Sequence, residues 1–437
     1  MSILTNAHEQ ITREFRRARD SSLAQNAGWM LVGQGTNLIL QAAYFMILGR
    51  LLGSSQYGIY IGAFALTNLI STYSAMGAGT IFLRYVSSNR EMFSVYWGNI
   101  LLMMGCVSGL LITGTVIAAP HILNSSSASL VPMAAVANCL CGELTANVAR
   151  IFQAFERMKI TASLNSVISV VRLVTAAGMM LSLHRATAFQ WTEASLLISF
   201  LATLVSLIVV TYYFGWPTFS LRLMLRSIPE GFGYCFGQST AGVYNDIDKT
   251  MLSHYGLNAA NGVYALAYRV IDMATTPLIA VRDAAVPRFF LIGTTGGHAA
   301  RQLSFRLMKR TAAVSVLMSA ALFLFAPFIP RLVGNSFAES ALAVRWLCLI
   351  PVLRCAHQIS GSAIMGLGKH NFRLFNQILV AVLNFSLNLW CIPTFGWRGA
   401  AWTSLLSDGL LGGLNLIVFL ILTRNHGAMP MTGPQSA

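Results

Sequence analysis

Residues 192–214 read TEASLLISFLATLVSLIVVTYYF, an apolar run with one charge, Glu193, at its second position. An α-helix rises about 1.5 Å per residue, so a run of this length matches the roughly 30 Å hydrocarbon core of a bilayer. Comparable runs lie near 28–48, 58–77, 94–118, 129–148, 161–183, 231–256, 262–284, 311–333, 340–362, 371–392 and 399–422. They predict an all-α integral membrane protein with about twelve transmembrane helices. Only 10% of the residues are charged and 55% are hydrophobic, whereas soluble domains carry about 25% charge. No polar stretch is long enough to form a separate soluble domain. The first run, 28–48, follows Arg13, Arg16, Arg17 and Arg19 as a signal peptide would, but it is too long for an h-region and lacks a cleavage site.

The basic residues give an independent test of this division. With the N-terminus in the cytoplasm, twenty of the 29 Lys and Arg fall on cytoplasmic segments. Six of them occupy 282–310. Only Arg50, Arg185, Arg331 and Arg398 fall outside, and Arg172, Lys249, Arg269, Arg345 and Arg354 lie within spans. Such alternation follows the positive-inside rule and would not survive a missed span. Both termini are therefore expected in the cytoplasm. The net charge of +15 is scattered singly between apolar runs, so no nucleic-acid partner is expected. The seven cysteines all fall within spans, where they read as small buried hydrophobes, and Cys139-x-Cys141 lacks companion ligands for a metal.

An internal repeat divides the chain. Gly58-Ile59-Tyr60-Ile61-Gly62-Ala63-Phe64 is echoed 204 residues later by Gly262-Val263-Tyr264-Ala265-Leu266-Ala267-Tyr268, and Ser195-Leu196-Leu197 is echoed after 209 by Ser404-Leu405-Leu406. Six spans per half keep both halves in one orientation, a parallel repeat. The predicted organisation is a basic cytoplasmic segment (1–27), an N-lobe (28–214), a cytoplasmic linker (215–230), a C-lobe (231–422) and a cytoplasmic tail (423–437).

Polar groups in hydrocarbon must face protein or water, so their helical phase marks a cavity or a packing seam. Gln34, Asn37 and Gln41 share one face of the first span. Gln238, Asn245 and Lys249 share a face of the seventh, with Asp248 beside them. Tyr268, Asp272 and Thr275 line the eighth next to Arg269, and Gln377, Asn384 and Asn388 line the eleventh. Single Ser and Thr residues read as interhelical glue, whereas the aligned Asn and Gln stripes read as a cavity wall. Arg172, Lys249 and Arg269 have two readings. They form a cationic lining for an anionic group such as a diphosphate, with Asp248 and Asp272 balancing the empty site or carrying a coupling proton or sodium ion. Alternatively, Asp248–Arg269 and Arg269–Asp272 are ion pairs that lock a hairpin. Pro277 and Pro351 are candidate hinges; Arg354 and Asp408 lie within spans without an assigned role.

Three stretches carry a resemblance: Gly49-Arg50-Leu51-Leu52-Gly53 through Gln56-Tyr57-Gly58; Asp246-x-Asp248-Lys249 followed by Gly262-Val263-Tyr264 and Ala267-Tyr268-Arg269; and Asn384-x-x-Leu387-Asn388 leading to Ile392-Pro393-Thr394-Phe395-Gly396. In them the chain resembles the Wzx-type polysaccharide transporters, relatives of the lipid II flippases and of the multidrug and toxic-compound extruders. The resemblance implies a V-shaped fold of two six-helix lobes and alternating access. It implies an undecaprenyl-diphosphate-linked oligosaccharide as substrate, moved across the bacterial inner membrane, with polysaccharide polymerase or assembly proteins as partners. Lys249 and Arg269 match the family's cationic pattern best, and Asp246 joins Asp248 and Asp272 as a coupling or charge-balancing group. No cofactor is expected beyond a coupling H+ or Na+. A drug or metabolite antiporter of the same fold is the first alternative, although the first span lacks the acidic residue that such proteins commonly bear. A membrane glycan polymerase or ligase is the second. The short outer loops and the lack of hydrolase, metalloprotease or P-loop motifs speak against an enzyme.

Overall fold

The computed structural model describes residues 22–293 and 297–425. The arginines of the N-terminal segment and most of the 423–437 tail lie outside the described residues. The helices are α1 (Ser22–Ser71), α2 (Ala78–Val86), α3 (Phe93–Ile122), α4 (Glu143–Ala154), α5 (Met158–Leu183), α6 (Ala188–Phe214), α7 (Leu221–His254), α8 (Asn258–Gly293), α9 (Gly297–Phe325), α10 (Ile350–Gly366), α11 (His370–Phe395) and α12 (Trp397–Asn425). Among the described residues eight helices are long and apolar enough to cross a membrane. The first of these, α1, contains two spans separated at Gly53, whose backbone (φ 70°, ψ 169°) is non-helical. The remaining spans are α4, interrupted as described below, and α7 and α8, which are too polar to qualify. The described residues thus hold twelve spans.

The opening stretch shows the solvent for which the chain is built. On α6, Leu197, Phe200, Leu204 and Ile208 are exposed, while Ser195, Ser199, Thr203 and Ser206 are buried. This is an amphipathic helix turned inside out: apolar groups face lipid, and hydroxyls face the protein. Thr203 illustrates this, donating to the carbonyls of Ser199 (2.8 Å) and Cys141 (3.1 Å).

Three spans depart from the continuous helices expected. The second ends as regular helix at Ser71 and resumes at Ala78. Met76 and Gly77 between them have positive φ, and a side chain on Gly77 would overlap the Gly231 backbone of α7. The fourth is Val131–Ala135, a π-helical turn Val136–Gly142, and then α4. A π turn leaves carbonyls without their usual i+4 donors, and hydroxyls supply them: Ser108 donates to Cys139 O (3.1 Å), and Thr145 and Thr203 donate to Cys141 O. The tenth is split into Ser340–Leu347 and α10. Pro351 stands in the first turn of α10, where its missing N–H leaves no hydrogen bond unmade, so it caps a helix and does not kink one.

The chain folds into two units. The first comprises residues up to Leu51, Ile70–Ala118 and Leu130–Phe236; the second comprises Leu52–Leu69, Ala119–Ser129 and the chain from Gly237 onward. Phe82, Trp97, Ile151, Phe152 and Val210 centre the core of the first. Phe289, Ile359, Ile364 and Phe419, from α8, α10 and α12, centre a core of the second. Within the second unit the C-terminal half of α1 crosses α8 at the two glycines that open the internal repeat. A side chain on Gly58 would overlap the Asn258 carbonyl and come within 2.7 Å of Gly262 N; one on Gly262 would overlap the Ser54 carbonyl. Asn261 clasps the crossing by donating to Gly58 O (3.0 Å), and Asn124 donates to Asn258 (2.7 Å).

Alanine at Gly58 or Gly262 therefore forces backbones apart, and such overpacking typically costs about 1–3 kcal/mol. We expect both variants to melt below wild type in a thermal-shift assay in detergent. Gly237→Ala, with nothing within 4 Å of its added methyl, is expected to leave the melting temperature unchanged. Equal melting of all three would contradict the close crossing.

Candidate functional site

Helices α7 and α8 are joined by a three-residue link that holds them side by side. Gly256 adopts φ 71°, its N–H bonds to Ser253 O (3.0 Å), and Leu257 N–H bonds to Leu252 O (3.0 Å). These two bonds form a Schellman cap and close the helix end. Residues a few turns either side of the link therefore meet across the hairpin. Lys249 Nζ sits 5.3 Å from the centre of the Tyr268 ring, a cation–π distance.

Around this pair lies a small cleft, lined by Ile61, Phe64 and Ala65 of α1 and by Asp246, Lys249, Arg269 and Asp272 of α7 and α8. Lys249 Nζ donates to Asp246 Oδ1 (2.7 Å), and Asn68 Nδ2 donates to Asp246 Oδ2 (2.7 Å). Arg269 faces Tyr57 and Tyr60 of α1 together with Asp272 and Asp246. Asp272 in turn accepts from Arg354 Nη1 of α10 (2.6 Å). Every cation at the cleft thus has a carboxylate near it. The charges alternate, with Asp246 and Asp272 as the balancing carboxylates of the lining. Lys249, with 13% of its side chain exposed, and Asp246, with 17%, are shielded enough for this pairing to count, whereas Asp272 is 42% exposed and meets solvent.

The other residues singled out in the sequence have distinct places. Asp248 is fully buried and lines no part of this cleft. It accepts from the Tyr264 hydroxyl, from Ser404 Oγ (3.2 Å) and from Lys249 N–H (2.9 Å), and the Asp248–Arg269 pair foreseen as a hairpin lock is replaced by these bonds. Tyr264 and Ser404 are both repeat-motif residues, so the motifs of the second half meet on this one carboxylate. Asn384 and Asn388 are also fully buried. Asn384 donates to Ser407 (3.0 Å), Asn388 donates to Asn384 (3.0 Å), and Thr403 donates to Asn388 (2.5 Å). This stripe is a hydrogen-bonded seam between α11 and α12 rather than a cavity wall. Asn37 is likewise bonded to Ser169 of α5. Gln34 is exposed, Gln41 and Gln377 are half-buried, and the Asn245 side chain lies outside the described residues. Arg172 belongs to the first unit, half-buried, with no hydrogen bond to its Nε among the described residues. The cleft therefore brings together Lys249, Arg269, Asp246 and Asp272, but not Arg172, Asp248 or the α11 asparagines.

Sequence reading left Arg354 and Asp408 without a role and passed over His357, Asn68 and Tyr57. Arg354 and Asp408 carry the signal that could have linked them, as opposite charges in spans that offer few other partners. Asn68 and Tyr57 carried none, because an amide and a phenol in a helix are ordinary packing residues until their neighbours are known.

The profile of the family described as polysaccharide biosynthesis protein matches residues 23–292. No curated protein matches the sequence. Among solved structures, the lipid II flippase MurJ in an inward closed conformation aligns with a TM-score of 0.73 at 10% identity, covering 91% of this chain and 90% of that one. A multidrug resistance MATE family transporter of the MOP superfamily aligns in its inward-facing conformation with a TM-score of 0.68 at 14% identity, covering 91% and 98%. An outward-facing conformation of such a transporter gives 0.58 at 15% identity, covering 92% and 96%. The inside-out helices, the twelve spans, the shared fold and the profile match agree, and the chain belongs to the polysaccharide biosynthesis protein family as a multi-pass membrane protein with the fold of the MOP-superfamily transporters.

Proposed function

We propose that the protein carries a lipid-linked oligosaccharide with a diphosphate head across the inner membrane by alternating access, with both termini in the cytoplasm. The observation that supports this reading best is the convergence of Lys249 and Arg269 on one cleft within membrane-spanning helices. A diphosphate cannot cross hydrocarbon unaided, because desolvating its charge is prohibitive. Two cations would meet it with charge-assisted hydrogen bonds, Arg269 through its planar fork and Lys249 as a point charge.

The carboxylates fit the same role. Bare cations in a membrane helix are costly, so an empty site needs internal counter-ions. Asp246 and Asp272 hold Lys249 and Arg269 while no head is present, and an arriving diphosphate takes their place. Exchange of partners keeps each cation paired throughout, which lowers the cost of both loading and unloading. Asp248, enclosed by Tyr264 and Ser404, serves on this reading to hold α7 against α8 and α12. A coupling proton or sodium ion would drive the cycle, each elementary charge moved being worth about 2.3 kcal/mol per 100 mV. Polysaccharide polymerase or assembly proteins would receive the product. The likeness to multidrug transporters keeps a drug antiporter as the competing reading, with Asp246 and Asp272 meeting an organic cation.

The test is complementation of a knockout. Each charge-assisted hydrogen bond is worth about 1.5–3 kcal/mol, so Arg269→Ala and Lys249→Ala are each expected to lower surface glycan export on the order of 10- to 100-fold while membrane levels stay normal. Wild-type export in both variants would overturn the cationic assignment. The knockout itself is expected to accumulate lipid-linked sugar on the cytoplasmic leaflet; normal glycan with lost dye efflux would favour the antiporter instead.

A further inference from the structure

Behind the cleft, a second set of ionisable groups is packed inside the second unit. Arg354 and His357 stand one turn apart on the same face of α10 and meet Asp408 of α12. Arg354 Nε lies 3.8 Å from Asp408 Oδ2, and His357 Nε2 lies 3.5 Å from Asp408 Oδ1. Asp408 is wholly buried, and the side chains of Arg354 and His357 are 9% and 14% exposed. The His357 Nε2 atom is buried and makes no hydrogen bond of ordinary geometry among the described residues. Arg354 reaches the other way with Nη1, 2.6 Å from Asp272 at the cleft, and its guanidinium lies 5.7 Å from the Tyr268 ring centre. One guanidinium therefore stands between two carboxylates, one sealed in the protein and one facing the cleft.

We infer that Asp408 and His357 together form a proton-binding site whose occupancy, relayed by Arg354, sets the charge that Asp272 presents to the cleft. The argument is charge balance. Arg354 is shared between two carboxylates and stands closer to Asp272 (2.6 Å) than to Asp408 (3.8 Å), so the wholly buried carboxylate is the less neutralised of the two, and a charge buried among membrane helices is costly. A proton shared by Asp408 and His357 removes it. With the proton bound, Arg354 stays on Asp272, and Arg269 is left for an anionic head. With the proton lost, the Asp408 carboxylate draws Arg354 inward, and Asp272 turns to Arg269 and competes with the head. Proton and anion thus support each other's binding, and by linkage the effect is reciprocal.

The charged and titratable surroundings are few. From α8 come Tyr268 and Asp272, with Arg269 beyond them; from α7 come Asp248 and Lys249, both across Tyr268. Arg373 of α11 lies against Gly361 of α10. Arg301, Arg306, Lys309 and Arg310 occupy the first half of α9, Arg282 and Asp283 pair near the C-terminal end of α8, and Arg345 lies over Phe323. Among the described residues none places a second histidine beside Asp408, so His357 supplies the imidazole.

The inference rests on the diphosphate reading for its ligand but not for its proton, and the experiment separates the two. Full-length protein in lipid nanodiscs is examined by infrared difference spectroscopy between acid and alkaline pH, and its affinity for farnesyl diphosphate is measured at the same pH values. Wild type is expected to show a titrating carboxyl or imidazole component that Asp408→Asn and His357→Gln both remove and that Asp283→Asn leaves. Affinity is expected to fall about tenfold on going alkaline in wild type and much less in the two variants; the ligand's own titration is common to all. A component that survives both substitutions, or that Asp248→Asn removes in their place, overturns the proton site. So does binding whose pH dependence is the same in wild type and variants. Absence of farnesyl diphosphate binding at every pH, with the infrared component behaving as expected, upholds the proton site and overturns the diphosphate reading. If Asp408→Asn fails to fold, His357→Gln decides alone.

Discussion

Hydrocarbon offers a polar group no hydrogen bond, so each one buried in this chain has to be met by another part of the chain. That constraint orders the whole molecule. It turns α6 inside out, with leucine and phenylalanine outward and serine and threonine inward. It also explains why the widened carbonyls of the π turn before α4 are answered by hydroxyls from α3 and α6. The same rule applied to full charges, where an unmet group costs most, produces the alternation of cation and carboxylate along α7, α8, α10 and α12.

Those charges form one chain of contacts. It runs from Asn68 and Asp246 through Lys249 and Tyr268 to Arg354, and from there both to Asp272 at the cleft and to Asp408 in the interior. Tyr268 is central because its ring lies within cation–π distance of two cations, Lys249 and Arg354, without contributing charge. A neutral spacer of this kind lets two positive groups approach a common region without direct contact. Asp248, only one residue from Lys249, points into a different environment because α-helical neighbours differ by about 100° in direction. Its partners Tyr264 and Ser404 secure the hairpin on α12 and leave the cleft to Asp246.

The membrane character, the number of spans and the existence of a charged hairpin were legible in the sequence, because hydropathy, loop charge and the repeat at Gly58 and Gly262 report on them directly. The breaks were not. Residues 72–77 and 136–142 are apolar enough to read as continuous helix, and what interrupts them is a backbone approach at Gly231 and donors arriving from other spans. The asparagines of α11 show the limit of a helical-phase argument: a polar stripe is required equally by a wet wall and by a dry seam, and only the presence of Ser407 and Thr403 opposite decides for the seam. Lys249 and Arg269 line one cleft, a juxtaposition that follows from the hairpin spacing in the sequence. Arg354 and Asp408 could not be joined to them, since nothing in the order of residues says that α10 and α12 flank α8.

The crossing at Gly58 and Gly262 has one more implication. Side chains that interlock lose their rotational freedom on contact and must recover it on separation, so such interfaces tend to be slow to part. Here main chain lies directly on main chain, and at Gly58 and Gly262 only hydrogen atoms stand between the two helices. Apart from Asn261, few rotamers are frozen when these surfaces touch or released when they come apart, which makes this crossing a seam that can be closed and undone with little entropic toll.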